Sequence, residues 1–172
     1  MKLNLFCGRH VLDGYTNVDM VPSPRASRPP EILANALDIP LPDACADEVV
    51  AIHGFEHLYR WEAPKALTEW HRLLKPGGKL ILELPNGIKC AKNLIRLGEG
   101  DDLKSIASLA MHGLYGDPSE EDPWMGHKWA WWPRTLRPLL KQHGFTNIEE
   151  KETQWHAIGR KLRDFRIEAV KA

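Results

Sequence analysis

The fold is decided between residues 48 and 84, where the chain reads EVVAIH at 48–53 and KLILEL at 79–84. The first run is nearly continuous in apolar character and rich in β-branched residues, which is typical of a strand covered on both faces in a parallel sheet. KPGG at 75–78 predicts the end of a helix between the two runs. That amphipathic helix is predicted from apolar residues that recur every three or four positions: Ala63, Ala66, Leu67, Trp70, Leu73 and Leu74. Strand, helix and strand in this order predict a βαβ unit whose strands end along one edge of a parallel sheet.

The flanking segments extend this unit into an α/β domain. Residues 2–6 and 16–20 predict two short strands, and residues 21–30, which include four prolines, predict a loop. Only ten residues separate Gly8 from Asp19, fewer than a helical crossover needs, so we expect a shortened first crossover. Further along, the pattern predicts helices at 88–97, 103–111 and 133–142, an acidic loop at 115–124, and closing strands at 145–152 and 164–170.

Length and charge narrow the class of protein. The 172 residues suit a single domain over residues 1–172, with a mostly parallel sheet, an antiparallel C-terminal strand and a helical insertion at 87–132. The 23 basic residues balance 23 acidic ones, so no overall field attracts a polyanion, and we expect no nucleic-acid partner. No run approaches the roughly 18 apolar residues of a membrane span, so no membrane partner is expected either. Cys7, Cys45 and Cys90 form no C-x-x-C pair, which favours reduced thiols and a cytoplasmic location.

Five short motifs follow one another along the chain in a characteristic order. They are Cys7-Gly8 after the first strand, Asp19 at the end of the second, DIPLPD at 38–43, HGFEHL at 53–58 and PGG at 76–78. With these motifs the chain resembles the class I S-adenosylmethionine-dependent methyltransferases, in particular the small-molecule group similar to quinone-biosynthesis methyltransferases. The likeness covers residues 1–85 and returns at 127–145. It implies a Rossmann-like fold, S-adenosylmethionine as cofactor, a small-molecule methyl acceptor, and an insertion that forms the acceptor's side of the site.

The resemblance also implies roles for individual residues. Gly8 would let the backbone approach the methionyl part of the cofactor, because a glycine has no Cβ to intrude. Asp19 would accept hydrogen bonds from the ribose hydroxyls, and Asp38 would face the adenine amino group. The full cofactor-binding set implied in this way is Asn4, Phe6, Cys7, Gly8, Asp19, Leu37, Asp38, Ile39 and His53.

The glycine loop departs from the family pattern, which reads acidic-x-Gly-x-Gly-x-Gly. Asn4 takes the acidic position, Phe6 the first glycine and His10 the third, so Gly8 alone is kept. The departure calls the affinity for the cofactor into question. It keeps open an alternative function, a noncatalytic binding or assembly module with the same fold.

Histidines supply the candidate bases. An acceptor that must lose a proton needs a base with a pKa near neutral, and histidine is the natural choice. His53, expected beside the sulfonium, is the first catalytic candidate and His127 the second, with His57 and Glu56 behind them. HGFEH at 53–57 also matches H-x-x-E-H, the inverted zinc-protease motif. A zinc metallopeptidase is a remote alternative, because the preceding residues predict a strand and a glycine weakens a helix, and we expect no metal site.

Two further groups of residues leave alternatives open. Four of the seven tryptophans, Trp124, Trp129, Trp131 and Trp132, lie close together and predict either a lid over an apolar substrate or part of the core or of an interface. Basic residues at 160–166 alternate with acidic ones, which predicts a solvated surface; they are Arg160, Lys161, Arg163 and Arg166, interspersed with Asp164 and followed by Glu168. Neither the acceptor nor the oligomeric state follows from the sequence.

Overall fold

A seven-stranded sheet organises the chain in the computed structural model, which describes residues 1–98, 108–117, 123–155 and 162–172. The strands are β1 (Lys2–Leu5), β2 (Thr16–Asp19), β3 (Ile32–Leu33), β4 (Ala46–Ile52), β5 (Leu74–Pro85), β6 (Phe145–Lys151) and β7 (Asp164–Lys171). The α-helices within these ranges are α1 (Ala63–Leu73), α2 (Gly87–Gly98), α3 (Gly113–Tyr115) and α4 (Pro133–Gln142). Short 3-10 turns lie at Phe55–His57 and Pro123–Met125, and a π-helical turn lies at Ser108–His112.

The strands lie in the order β3-β2-β1-β4-β5-β7-β6. Strands β1 to β5 pair in parallel, and β7 runs antiparallel to both of its neighbours, β5 and β6. This arrangement confirms the predicted α/β fold with a mostly parallel sheet and an antiparallel C-terminal strand. Because parallel strands end at the same edge, the loops after β1, β2 and β4 meet there, and we call this edge the cofactor rim.

The first crossover, between β1 and β2, contains no helix, as its short spacing predicts. Two buried asparagines shape it instead, at the paired positions Asn4 and Asn17. The Asn4 amide donates to the carbonyl of His10 (3.0 Å) and to the Asn17 side chain (2.8 Å). The Asn17 side chain accepts from the backbone N–H of Leu12 and donates to the carbonyls of Leu12 and Tyr15. These bonds satisfy loop groups that a helix would otherwise pair.

Strand β3 is the element that the sequence pattern does not predict. It has two residues, and it forms because Val18 pairs with Ile32 and Asp19 with Leu33. The preceding loop over residues 20–31 carries no helix or strand, in agreement with its predicted proline-rich loop. The first two crossovers are therefore both loops.

Strand β5 begins at Leu74 rather than at the predicted Lys79. Ala46 pairs with Leu74 and Glu48 with Lys79, so the intervening KPGG segment bulges out of the ladder. Gly77 there has φ +77°, a conformation that favours glycine. The segment therefore follows the end of α1, as predicted, but lies inside a strand.

The two faces of the sheet are covered by different structures. On one face the strands pack against α1 and α4 in a single hydrophobic core. Alternate strand residues point the other way, and there Glu48 and Glu83 meet loops. The Tyr15 hydroxyl donates to Glu48, and the backbone N–H groups of Gln154 and Trp155 donate to Glu83. Strand β4 is thus covered on both faces, as predicted, by helices on one and by loops on the other.

The predicted insertion contains α2, the π-helical turn, α3 and the second 3-10 turn. Residues 103–107 of the predicted second helix and residues 118–122 of the predicted acidic loop lie outside the described residues. Within the parts of the chain that the structure describes, no helix is long and apolar enough to cross a membrane.

Replacement of Asn17 by alanine tests the polar crossover. The substitution leaves the Leu12 N–H and the Asn4 amide without their buried acceptor, so we expect the free energy of unfolding to fall by about 3 kcal/mol. Urea unfolding monitored by tryptophan fluorescence measures the change. The control Gln142→Ala, at an exposed residue of α4, should change stability by less than about 0.5 kcal/mol. Equal small losses in the two variants would show that the crossover does not depend on Asn17.

Candidate functional site

The cofactor rim is built by sharp turns directly after β1 and β4. Phe6 has φ +55° and Gly8 φ +48°, while His53 has φ +50°. Left-handed conformations of non-glycine residues are uncommon and cost energy, so surrounding contacts must hold these two turns. A Cβ on Gly54 would overlap the Phe6 ring, so the turn after β4 requires glycine where it meets the turn after β1.

Asp19 joins the end of β2 to the turn after β1. Its Oδ2 accepts the backbone N–H of Gly8, and its Oδ1 accepts the N–H of Met20, both at 2.7 Å. Each carboxylate oxygen has a second acceptor position, so these bonds leave capacity for further donors. A Cβ built on Gly8 would meet no heavy atom within 4 Å, so the rim is open beside this carboxylate.

Two of the predicted cofactor-binding residues, Asn4 and Cys7, are engaged in contacts within the fold. The Asn4 amide donates to the His10 carbonyl and to the Asn17 side chain, so this side chain holds the loop between β1 and β2 in place. Cys7 is buried, its N–H donates to Val18, and burial raises the pKa of its thiol to about 12. Its thiol is therefore unreactive at neutral pH.

Phe6 stands where the family has its first glycine. Its ring packs edge-on against the buried Trp70 at 6.1 Å between ring centroids and also lies against Gly54. The half-buried Phe6 side chain therefore fills space between the turns after β1 and β4.

The predicted adenine contacts follow β3. Leu37 is half-buried and Asp38 exposed, so both lie at the surface. Ile39 is 1% exposed and belongs to the hydrophobic core, so its side chain has no surface to offer a ligand, contrary to the prediction. Helix α1 fixes this loop: the Trp70 indole donates to the carbonyl of Ala36 (2.8 Å), and the Ile39 N–H donates to Glu69 (2.9 Å).

His53 lies between two buried carboxylates. Its Nε2 is 2.9 Å from Asp164 Oδ2, and its Nδ1 is 3.1 Å from Glu56 Oε1. The Arg163 guanidinium in turn donates to both oxygens of Asp164. We call the chain of charges Glu56, His53, Asp164 and Arg163 the charge clamp. It connects the turn after β4 to the start of β7.

The charge clamp fixes the protonation state of His53. Burial by itself disfavours the imidazolium, but the two carboxylates outweigh it and raise the pKa of His53 to about 9. Burial also opposes ionisation of Glu56 and Asp164, yet the charged His53 lowers the pKa of both carboxyl groups. His53 is therefore already protonated at neutral pH, which removes the basis for its predicted role as the catalytic base.

Asp164 and Arg163, the partners of His53 at the start of β7, are the members of the charge clamp that the sequence analysis did not predict. Arg163, Asp164 and Arg166 are 5%, 1% and 3% exposed, so the predicted solvated surface is wrong at these positions. Residues 160 and 161 of that predicted surface lie outside the described residues. Arg163 and Asp164 are adjacent in sequence at the start of β7, and an Arg-Asp pair entering a central strand is the signal that was available.

His127 and His57 lie beside Glu56. The two imidazole rings meet edge-to-face at 4.9 Å, and His127 Nε2 is 3.9 Å from Glu56 Oε1. Backbone N–H groups of Lys128 and Trp129 contact the Glu56 carbonyl, which brings this segment to the turn after β4. Burial lowers the pKa of His127, so its imidazole is neutral at neutral pH.

The H-x-x-E-H motif does not adopt its protease geometry. The helical turn at Phe55–His57 is three residues long and begins after His53, so the two histidines do not share a helical face. Both ring nitrogens of His53 also face carboxylates. The residues of the motif are thus divided between the charge clamp and the pair of histidines.

The tryptophans divide between core and surface. Trp131 is 1% exposed and packs on Phe55 at 5.2 Å between ring centroids, so it belongs to the core. Trp132 is half-buried before α4, while Trp124 and Trp129 are exposed. The predicted lid would therefore consist of Trp124 and Trp129, and their role as a lid stays a prediction.

A cleft of about 520 Å³ lies between α2 and α4. Four of its side chains are cationic and one is acidic. It is lined by Asn86, Ile88, Lys89, Lys92, Trp132, Pro133, Arg134, Arg137 and Glu150.

The strand order, the reversed β7 and the carboxylate at the end of β2 define the fold of a class I S-adenosylmethionine-dependent methyltransferase. Residues 8–82 match a family model described as a methyltransferase domain. On the fold and the matched segment together, the chain is similar to the class I S-adenosylmethionine-dependent methyltransferases.

Two similar proteins carry matching segments. A probable S-adenosylmethionine-dependent methyltransferase of Mycolicibacterium smegmatis is 41% identical over 54 residues, 31% of this chain and 20% of that protein. The demethylmenaquinone methyltransferase of Thermus thermophilus is 43% identical over 63 residues, 36% of this chain and 28% of that protein. The chain thus spans less than a third of the length of these two relatives.

Among solved structures, Burkholderia thailandensis 1,6-didemethyltoxoflavin-N1-methyltransferase matches with a TM-score of 0.65 at 16% identity. The match covers 99% of this chain and 70% of that one. That structure contains 1,6-didemethyltoxoflavin and S-adenosylhomocysteine. At this level of identity the likeness concerns the fold.

The charge clamp predicts a pH dependence of stability. Because the folded-state pKa of His53 lies above its ordinary value of 6.5, its stabilising effect is complete below about pH 6.5 and is lost as the pH rises through 9. The rise of this pKa from 6.5 to about 9 corresponds to a loss of about 3 kcal/mol in the free energy of unfolding at high pH. Urea unfolding of the wild type between pH 6.5 and 9.5 should show this loss, and His53→Asn should lack it.

The matched control is His143→Asn, a half-buried histidine at the end of α4, which should keep the wild-type pH dependence. A wild-type stability that stays flat between pH 6.5 and 9.5 would contradict a charged His53.

Proposed function

We propose that this chain binds S-adenosylmethionine at the cofactor rim and transfers its methyl group to a small-molecule acceptor. The observation that carries the proposal is the Asp19 carboxylate, held at the end of β2 by Gly8 and facing open space at the rim. A carboxylate with free acceptor positions suits the two hydroxyls of a ribose. The match of residues 8–82 to a methyltransferase domain supports the same function.

The rim fits the adenosine half of the cofactor best. Asp19 would hold the ribose, while Leu37 and Asp38, both at the surface, would contact the adenine. Gly8 would leave room for the methionyl part of the cofactor, which follows the ribose. Phe6 would have to accommodate the methionyl half, because its ring occupies space between the turns after β1 and β4.

The cofactor, when bound, supplies a methyl group on a positively charged sulfur. The protein's contribution is to hold the acceptor in line with that group, and orientation of this kind is worth about 7–11 kcal/mol. The fixed turns after β1 and β4, with Gly54 against Phe6, provide a rigid floor for this alignment.

For an acceptor that must lose a proton, we propose His127 as the base. Its pKa is lowered by burial, so the neutral form that can accept a proton is present at neutral pH. His53, by contrast, is held as an imidazolium by Glu56 and Asp164 and would act by positioning the turn after β4.

The acceptor is proposed to bind on the side of the insertion at residues 87–132. The cleft between α2 and α4 lies at the end of β5, on this side of the sheet, and its cationic lining suits an acceptor with an anionic or electron-rich group. The three free cysteines are compatible with the expected cytoplasmic location.

The second candidate function is a noncatalytic module with this fold, and Phe6 is the observation that favours it. A ring in place of the first glycine, packed on Trp70, would obstruct the cofactor if it could not move. Cofactor binding separates the two candidates directly.

Isothermal titration of the full chain with S-adenosylmethionine and S-adenosylhomocysteine tests the proposal. We expect binding by the wild type and a loss of affinity of at least about tenfold in Asp19→Ala, because the ribose would lose a charged acceptor. The control Asp13→Ala removes a fully exposed carboxylate from the first crossover and should leave the affinity unchanged.

Absence of heat and of any thermal shift at millimolar ligand would contradict the proposal and favour the noncatalytic module. A Phe6→Gly variant then distinguishes the cause: binding gained by this variant would show that the ring closes the site. Unchanged affinity in Asp19→Ala with an intact fold would refute the ribose role.

A further inference from the structure

Three side chains at one end of the charge clamp converge on one point. They are Glu56 and His57, from the turn after β4, and His127, from the segment before α4. One potential ligand atom from each lies within 4.8 Å of the other two. We call this group the Glu56–His57–His127 cluster.

Glu56 is buried, and its carboxylate is compensated from one side only. Its side chain is 2% exposed, and neither carboxylate oxygen has an aligned hydrogen-bond partner among the described residues. Its one close charged contact is with His53, at 3.1 Å from Oε1. His53 compensates the charge from the Oε1 side, and Oε2 has no donor among the described residues, whereas buried carboxylate oxygens in folded proteins are nearly always satisfied by donors or by a bound ion.

The two histidines are oriented as metal ligands are. His57 Nδ1 lies 2.9 Å from the carbonyl of Trp124, and His127 Nδ1 lies 3.1 Å from the carbonyl of Gly113. A carbonyl can only accept, so Nδ1 carries the proton in each ring and Nε2 is left with a lone pair. Metal-binding histidines characteristically donate their other ring N–H to a backbone carbonyl in this way.

We propose that Glu56, His57 and His127 bind one divalent transition-metal ion, with Zn²⁺ the best match to the donor set. Two imidazoles and one carboxylate suit zinc, and three protein ligands leave a position for water or a substrate oxygen. Ligand atoms around a tetrahedral zinc stand about 3.3 Å apart, so the cluster must contract by at most about 1.5 Å.

This ligand set differs from the one that the H-x-x-E-H motif predicts, and it revises the expectation of no metal site. His53 is excluded because both of its ring nitrogens face carboxylates. The third ligand is His127, which lies far along the chain and is brought to Glu56 by the Lys128 and Trp129 backbone contacts. The ion would therefore fasten the segment before α4 to the turn after β4 and, because it takes up the Nε2 lone pair of His127, would exclude that side chain from acting as the base.

Metal analysis of the full chain tests the proposal without reference to the methyl-transfer activity. After dialysis against a chelator, the wild type should bind one equivalent of Zn²⁺, and Co²⁺ should give the absorption bands of a tetrahedral site. Zn²⁺ should also raise the thermal midpoint. His57→Asn and His127→Asn should each weaken binding at least 100-fold and abolish the thermal shift, with circular dichroism confirming the fold.

Three variants make the result specific. Glu56→Gln keeps the side-chain shape but removes the charge and should weaken binding at least tenfold. His143→Asn, a histidine remote from the cluster, should leave the affinity within twofold of the wild type. His53→Asn should weaken binding less than His127→Asn, since His53 only orients Glu56.

Absence of stoichiometric Zn²⁺ in the wild type would overturn the proposal, as would binding that survives both His57→Asn and His127→Asn. Loss in His53→Asn with retention in His127→Asn would show that the motif set is the true site. These measurements contain no S-adenosylmethionine. A negative result for Zn²⁺ binding would therefore not affect the separate test of cofactor binding at the rim.

Discussion

The contact between His53 and its two carboxylates is the constraint on which the site depends. A buried imidazolium is stable only with full compensation, and Glu56 and Asp164 supply it from opposite sides. Arg163 completes the neutral sequence of charges. Because His53 follows β4 and Asp164 begins β7, the charge clamp bridges two strands that flank β5 and holds the left-handed turn at His53.

That turn separates two regions with different chemistry. On one side, Gly54 lies against the Phe6 ring. On the other, Glu56 faces His57 and His127. One ionised histidine thus sets the geometry of both, which explains why a residue at the place expected for a base is committed to structure.

Much of this fold could be predicted from the sequence, since strands β1, β2, β4 and β7 and helices α1 and α4 follow from hydrophobic periodicity and from proline and glycine signals. Strand β3 could not, because two residues carry no period. The role of Asn17 was also hidden, since one polar residue in a strand gives no sign of the five side-chain hydrogen bonds it makes.

The candidate site was less predictable. Asp19 and Gly8 were found through the resemblance, but the burial of Ile39 and the protonation of His53 depend on residues distant in sequence. An alternation of charges ordinarily predicts a solvated face, and it concealed Asp164. Long-range pairing of buried charges leaves no local pattern in a chain, so these contacts emerge only from the assembled sheet.

Nitrogen-15 spectroscopy of histidine-labelled protein observes the charge clamp most directly. The signals of His53 are assigned by their loss in His53→Asn. At pH 7.5 both ring nitrogens of His53 should show the chemical shifts of a protonated imidazolium, and those of His127 should show a neutral ring. A neutral His53 at this pH, with one protonated and one unprotonated nitrogen, would contradict the account.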